Sequence, residues 1–216
     1  MDNITLRKET PADWRKVETL VREAFWNQYA PGCCEHYLAH TLRDAQAFVP
    51  ELDYVATIGE TIVGNIMYAR AHIALDAGGI LPVLGFGPLA VMPAHQRQGI
   101  GGQLVAHTAA LARGAGHAAI LIYGDPAYYS RLGFVPAERF GIGTADNLYR
   151  PSLQAMELYA GALSHAAGRY EESPAYDVDP ATSDAFDAGF PPKVKEDDNA
   201  AQRKFQAIIA LKKPRN

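Results

Sequence analysis

The alternation of apolar and polar positions lays out strands and helices from the first residues onward. Ile4 and Leu6 alternate with Thr5 and Arg7 as a half-buried first strand. Thr10, Pro11 and Asp13 then supply a cap, a proline at the first helical position and an acid in the first turn. Trp14, Val17, Leu20, Val21, Ala24 and Phe25 recur at three- and four-residue intervals, which predicts one buried helix face over 11–26. Pro31-Gly32 breaks that helix, and a second is expected over 35–45. Residues 52–58 and 61–73 read as strands joined by a tight Gly59-Glu60 turn, and 74–81 with Gly78-Gly79 reads as a loop.

The nearly continuous apolar run over 82–91 predicts a central strand covered on both faces. After a glycine-rich stretch, Ile100, Leu104, Thr108, Leu111 and Ala115 mark the buried side of a helix ending at Gly114 or Gly116, and a strand over 118–123 follows at once. A strand, a helix and a strand in quick succession predict parallel neighbours, with the glycine-rich turn at the edge of the sheet where ligands gather. Asp125 and Pro126 open a short helix that runs to about Leu132 and stops at Gly133-Phe134. Apolar stretches near Phe140 and over 155–159 suggest a closing pair of strands. Pro174, Pro180, Pro191 and Pro192 among small and acidic residues make 171–195 read as a loose arm, and 197–211 as a terminal helix. Its Phe205, Ile208, Ile209 and Leu211 must dock on the body or on another subunit, so a homodimer is possible. The division expected is a domain over 1–160 and an extension over 161–216.

Composition narrows the partners. The chain has 216 residues, 48% of them hydrophobic, enough for one core. A net charge of −4 offers no general basic surface for nucleic acid. Cys33 and Cys34 are adjacent and cannot make a disulfide framework; the charged start MDNITLRKET lacks an apolar signal core. No apolar run approaches the roughly 20 residues of a membrane span. A cytoplasmic protein without membrane or nucleic-acid partners is expected, and no metal.

The candidate chemistry lies in 84–134. Helix starts carry unpaired N–H groups and the positive end of the dipole, and glycines there let an anion approach. The turn Gln96-Arg97-Gln98-Gly99-Ile100-Gly101-Gly102 has no lysine for a nucleotide-phosphate loop, and Leu104 spoils the dinucleotide fingerprint. It does match Q/R-x-x-G-x-G/A after a strand ending Leu89, Val91 and Pro93. With Tyr128-Tyr129-Ser130-Arg131-Leu132-Gly133-Phe134, which is similar to F-Y-x-x-x-G-F, the stretch resembles the GCN5-related N-acetyltransferase (GNAT) superfamily.

The resemblance implies an α/β fold with a central, mixed but mostly antiparallel sheet flanked by helices and followed by the C-terminal extension. It implies acetyl-CoA as cosubstrate and transfer to a primary amine, on a small molecule or a protein, by direct attack in a ternary complex. By the same resemblance, Gln96 belongs to the cofactor-binding loop, the amides of Arg97, Gln98, Gly99, Ile100, Gly101 and Gly102 cradle the pyrophosphate, and Leu89, Ala90 and Val91 hold the pantetheine arm. Tyr129 is implied as the acid that protonates the departing thiolate. The connection between the first two helices often walls the acceptor site, which draws Glu35 and His36 into consideration as the base, with Glu51 beside them; no spacing singles one out, and Glu35 is carried forward. Asp125 is expected to cap its helix. A coenzyme A-binding module without catalysis is the alternative, and thiol chemistry at Cys33-Cys34 a weaker third.

Overall fold

The computed structural model describes residues 3–215. From β1 (Ile4–Lys8) and a 3-10 turn the chain enters α1 (Trp14–Phe25) and α2 (Glu35–Leu42). The strands β2 (Tyr54–Ile58), β3 (Thr61–Leu75) and β4 (Ile80–Val91) lead into α3 (Ile100–Gly114), β5 (Ala119–Tyr123) and the short α4 (Pro126–Tyr129). Then come β6 (Val135–Pro136), β7 (Ile142–Thr144), β8 (Leu148–Tyr149), β9 (Leu153–Glu157) and β10 (Gly168–Glu171). The chain closes with α5 (Pro180–Asp187), α6 (Ala200–Ala210) and β11 (Lys213–Pro214).

The main sheet runs β1-β2-β3-β4-β5-β9-β6, with β10 joined to β3 and β7. Its pairs are antiparallel apart from β4 with β5 and β7 with β10, so the mixed, mostly antiparallel sheet expected from the sequence is what forms. The length of β3 serves two neighbours along one edge: Thr61 to Ile66 pair with β2, whereas His72 to Leu75 pair with β10. The positive φ angles of Gly78 and Gly79 close the β3–β4 hairpin, and strand pairing therefore continues to Leu75 and resumes at Ile80 inside the stretch read as a loop.

Helices cover both faces. On one, Val17, Leu20 and Val21 of α1 and Leu38 and Leu42 of α2 pack on Val55, Met67 and Ala90. Each such side chain contributes about 1.5–3 kcal/mol by leaving water. On the other, Ile100, Leu104, Val105, Ala109 and Ala112 of α3 meet Ile66, Tyr68 and Phe86. The stripe on α3 differs from the expected one: Ala112 is buried while Leu111 is 37% exposed, because steps of four from Ile100 land on Thr108 and Ala112. Trp14 is likewise 41% exposed, outside the α1 core face.

The entry to α1 is fixed by charge. Arg7 forks onto Asp13 through bonds of 2.7 and 2.9 Å, and Asp13 also accepts from the Thr10 amide at 2.9 Å. Arg7 and these further bonds hold the Asp13 carboxyl below its ordinary range.

Three boundaries and one region depart from the sequence reading. Leu52 belongs to a 3-10 turn, α2 stops at Leu42, and the segment around Phe140 is a 3-10 turn, so β6 pairs with β9 instead. The stretch read as a loose arm contains α5 and is strapped to the body. Arg22, 2% exposed, reaches Asp187 at 2.5 Å, and the Trp26 indole donates to the Val194 carbonyl at 2.8 Å. Local composition cannot reveal these bonds, whose partners lie far apart in the chain.

Candidate active site

The site begins where two strands part. β4 pairs with β5 only at Leu84 with Ile120 and Gly85 with Leu121, after which β5 stays with β9 and β4 with β3. A fork opens beyond Gly85. The Met92 amide donates to Val63 at 2.9 Å, and this sets the phase of the β3–β4 ladder. Ala90 therefore bonds across to Asn65, while Leu89 and Val91 turn their backbone groups to the fork. The Val91 carbonyl accepts from Gln96 Nε2 at 3.0 Å, so Gln96 ties the loop to the strand end.

The glycine-rich loop leads directly into α3. Gly99 caps the helix with φ 85°, and Arg97 also takes a positive φ of 61°, the conformation glycine adopts most easily. Among the described residues, the amides of Arg97, Gln98, Gly99, Ile100, Gly101 and Gly102 donate to no protein acceptor. Ile100 buries its side chain in the core and leaves only its backbone to the loop. Gly101 lies beneath Tyr128: a Cβ there would stand 2.6 Å from the Tyr128 hydroxyl. A row of free donors at a helix start, with a glycine floor, is the geometry of an anion site.

Tyr129 stands beside the fork. Its ring is boxed by Phe86, Phe134 and Tyr128 at centroid distances of 5.8, 5.5 and 5.0 Å. Gly124 forms its seat, since a Cβ there would lie 2.8 Å from Tyr129 Cδ2. Burial, reinforced by the neighbouring Tyr29, Tyr128, Tyr68 and Asp125, lifts the Tyr129 phenol well above its ordinary value, so it stays a donor at neutral pH. Asp125 caps α4 by accepting from the Ala127 amide at 2.9 Å, as its position predicts.

The base candidates separate in space. Glu35 opens α2, accepts from the Cys34 amide at 3.1 Å and has its pKa raised by burial. It acts electrostatically on Tyr29, which places it near the wall of the cleft. His36 is fully buried instead of solvated, wedged against Phe186 and Phe190 at 5.4 and 5.2 Å. Its Nδ1 lies 3.4 Å from Cys33 Sγ, its Nε2 stands 3.1 Å from Asp187 without hydrogen-bond geometry, and burial lowers its pKa. Glu51 lines a different concavity with Arg70 and His117. Burial and Glu35 raise the Cys33 thiol far up and Cys34 to about 11, which keeps both protonated.

Several site residues gave no local sequence signal. Tyr170 is 1% exposed, and a Cβ on Gly85 would meet its hydroxyl at 2.5 Å; Tyr176 lies beside Gly87, and both hydroxyls are buried without a partner. Glu172 interacts electrostatically with Tyr123, Tyr170 and Tyr176. Its side chain touches water yet sits among protein atoms, and the resulting desolvation, with Asp177 adding, pushes its pKa up to about 7. The pairing of β10 with β3 and β7 anchors Tyr170, whose hydroxyl reaches Gly85 of β4, and the turn after β10 brings Tyr176 to Gly87.

Comparison with known proteins gives a consistent picture. Residues 5–137 match the family model described as an acetyltransferase (GNAT) domain. The uncharacterized N-acetyltransferase YhbS of Escherichia coli K12 is 33% identical over 130 residues, which span 60% of this chain and 72% of that protein. The crystal structure of E. coli YhbS in complex with CoA superposes with a TM-score of 0.73 at 27% identity, covering 82% of this chain and 94% of that one. A GNAT family acetyltransferase from Brucella melitensis in complex with acetyl-CoA gives a TM-score of 0.61 at 26% identity, over 82% of this chain and 100% of the other.

Proposed function

The chain belongs to the GNAT acetyltransferase family, and on that premise we propose that it transfers an acetyl group from acetyl-coenzyme A to a primary amine, by direct attack in a ternary complex. The observation that carries this reading is the row of unpaired amides over 97–102 beside the open edge of β4. Relatives of this fold hold CoA and acetyl-CoA in their crystal structures.

Bound here, acetyl-coenzyme A supplies an activated acetyl thioester. The amides of 97–102 bind the pyrophosphate, where the helix dipole adds about 0.3–1 kcal/mol and charge-assisted hydrogen bonds the larger share. Arg97, exposed on the loop, adds a positive charge. The outward backbone groups of Leu89 and Val91 align the pantetheine arm, and an amide on that edge steadies the negative charge that develops on the thioester oxygen. Tyr129 gives its proton to the departing sulfur.

The amine must attack uncharged, and for a lysine-like amine at pH 7 removing the proton costs roughly 4.6 kcal/mol. A carboxylate at the cleft accepts that proton. Glu35 is the candidate from the chain order; Glu172, at about 7, has the proton affinity that a base near neutral pH requires. The protonated thiols of Cys33 and Cys34 favour direct attack over an acyl-cysteine.

Calorimetry with coenzyme A and thiol release from acetyl-CoA over a panel of amines test the reading. Gly99→Glu places a carboxylate on the cradle in a backbone region L residues avoid, and coenzyme A affinity should fall at least about tenfold. Tyr129→Phe should keep coenzyme A binding and lose about 100-fold or more in rate. Equal affinity in Gly99→Glu would sink the cradle, and an unchanged rate in Tyr129→Phe on every amine would remove Tyr129 from the chemistry. If the parent binds coenzyme A and acetylates nothing, it is a binding module.

A further inference from the structure

Beyond the family match, the chain brings α6 to a cavity of about 490 Å³ whose far wall includes Gly124 and Asp125. Tyr29, Tyr123 and Arg150 line it from the body; Phe205, Ile208 and Ile209 close it from α6. The helix is pinned in place. Lys204 Nζ lies 2.5 Å from Asp125 Oδ2, Arg150 Nη1 donates to the Ile209 carbonyl at 3.1 Å, and the Phe205 ring lies 4.3 Å from that of Tyr29. Upstream, Asn199 caps α6 and donates to the Asn27 carbonyl at 2.8 Å.

The reacting end of the cavity is set by Gly124, because the Tyr129 ring packs against it. The polar groups around the cavity are largely engaged with one another, Lys204 with Asp125 and Arg150 with Asp146 at 2.9 Å. What they leave to an occupant is aromatic and branched aliphatic surface, in a volume within the roughly 300–1,000 Å³ of small-molecule sites.

We infer that α6 makes this cavity into an acceptor pocket for a small primary amine on an aromatic or branched aliphatic body, its amine toward the Gly124 end and its body against Phe205, Ile208 and Ile209 of α6. The inference rests on the acetyl-transfer reading. A lysine on a folded protein would need its own surface where α6 lies, and a polyamine would bring further positive charge against Lys204 and Arg150.

The test uses the full chain with 2-phenylethylamine, isopentylamine, spermidine and a lysine-containing peptide as acceptors, scored by thiol release from acetyl-CoA. Calorimetry of 2-phenylethylamine binding to the coenzyme A-saturated protein runs beside it. The two apolar amines should exceed spermidine and the peptide in kcat/KM by about 100-fold, because the pocket takes an apolar body and offers no partner for a second charge. Phe205→Ala removes the body contact and Ile208→Trp fills the cavity; each should raise KM for 2-phenylethylamine about tenfold with kcat little changed. Coenzyme A binding by each variant confirms that it is folded. Peptide or spermidine acetylated as well as the apolar amines, or both variants with parental KM, would overturn the inference and leave acetyl transfer standing. Absence of coenzyme A binding and of thiol release with every amine would overturn both.

Discussion

Replacing Gly124 with alanine tests how Tyr129, the proposed proton donor, is held. The Gly124 amide donates to Ser152 at 2.9 Å, a bond alanine keeps, and its φ lies outside the left-handed region, so the backbone accepts the change. The new Cβ would stand 2.8 Å from Tyr129 Cδ2 and closer still to Cε2. An unstrained carbon contact needs about 3.5–4.0 Å, so the ring must retreat by more than about 1 Å. Phe86, Phe134 and Tyr128 close the inward path, which leaves a swing of the hydroxyl away from its place at the fork. A misplacement of that size costs on the order of 100-fold in rate, about 2.7 kcal/mol of barrier. Crowding of this kind also lowers stability by about 1–3 kcal/mol. Thiol release at saturating acetyl-CoA measures the rate, and denaturant midpoints and coenzyme A calorimetry show whether fold and cradle persist. On a Tyr129→Phe background the same change should cost little, because the hydroxyl whose position it alters is gone. Full parental kcat in a stably folded Gly124→Ala enzyme would refute the account of how Tyr129 is placed.

Asp13→Asn should cost about 1–2 kcal/mol at pH 7, discounted because the Arg7 side chain is 40% exposed. The folded Asp13 pKa lies well below the unfolded value of 3.8, so this contribution is full above 3.8 and is lost only as pH falls toward the folded value; the gap in denaturant midpoint between parent and variant should narrow from pH 7 to pH 3 without closing. Glu172 has the opposite sign. Its pKa rises from 4.5 to about 7 on folding, so the parent loses stability as pH rises through that window, and Glu172→Gln should raise the melting temperature at pH 8 while matching the parent at pH 4. If Glu172 is the base, the parental rate climbs as the carboxylate forms near pH 7 and the variant lacks that limb; an identical pH profile assigns the base elsewhere. Asn27→Ala removes acceptor bonds to the Gly32 and Glu196 amides at 2.8 and 3.1 Å and a donor bond to Val194 at 3.1 Å, at a backbone φ of 60°. About 3 kcal/mol should be lost and hydrogen exchange over 190–212 should quicken; Asn27→Gly, free of the φ penalty, should recover about 1 kcal/mol. Unchanged exchange in both variants would show that the strap is held without Asn27.

Much of the fold and the row of unpaired amides at the start of α3 were legible along the chain because their information is local. Period-two and period-3.6 patterns mark β1, α1 and α3, and the glycines at 99 and 101 with Gln96 announce a helix start with unpaired amides. Asp125 before Pro126 predicts its own cap. Such signals need only a few neighbouring residues, since capping and alternation act within a turn or a strand.

The surroundings of the proposed acceptor site were decided by tertiary structure alone. His36 looks like a solvated helix residue until Phe186 of α5 and Phe190 just beyond it cover it. Glu172 follows a four-residue strand whose pairing with β3 and β7 sets it within electrostatic reach of Tyr123, Tyr170 and Tyr176, where desolvation weakens its acidity. The arm over 171–195 reads as loose because its proline-rich composition hides bonds to Arg22, Trp26 and Asn27, more than 160 residues earlier. Apolar residues on α6 state that something must cover them, and only the folded chain shows that Tyr29 does so, beside Asp125. Sequence periodicity specifies which face of an element is apolar; which distant surface it meets, and what pocket that meeting encloses, depends on packing across the whole chain.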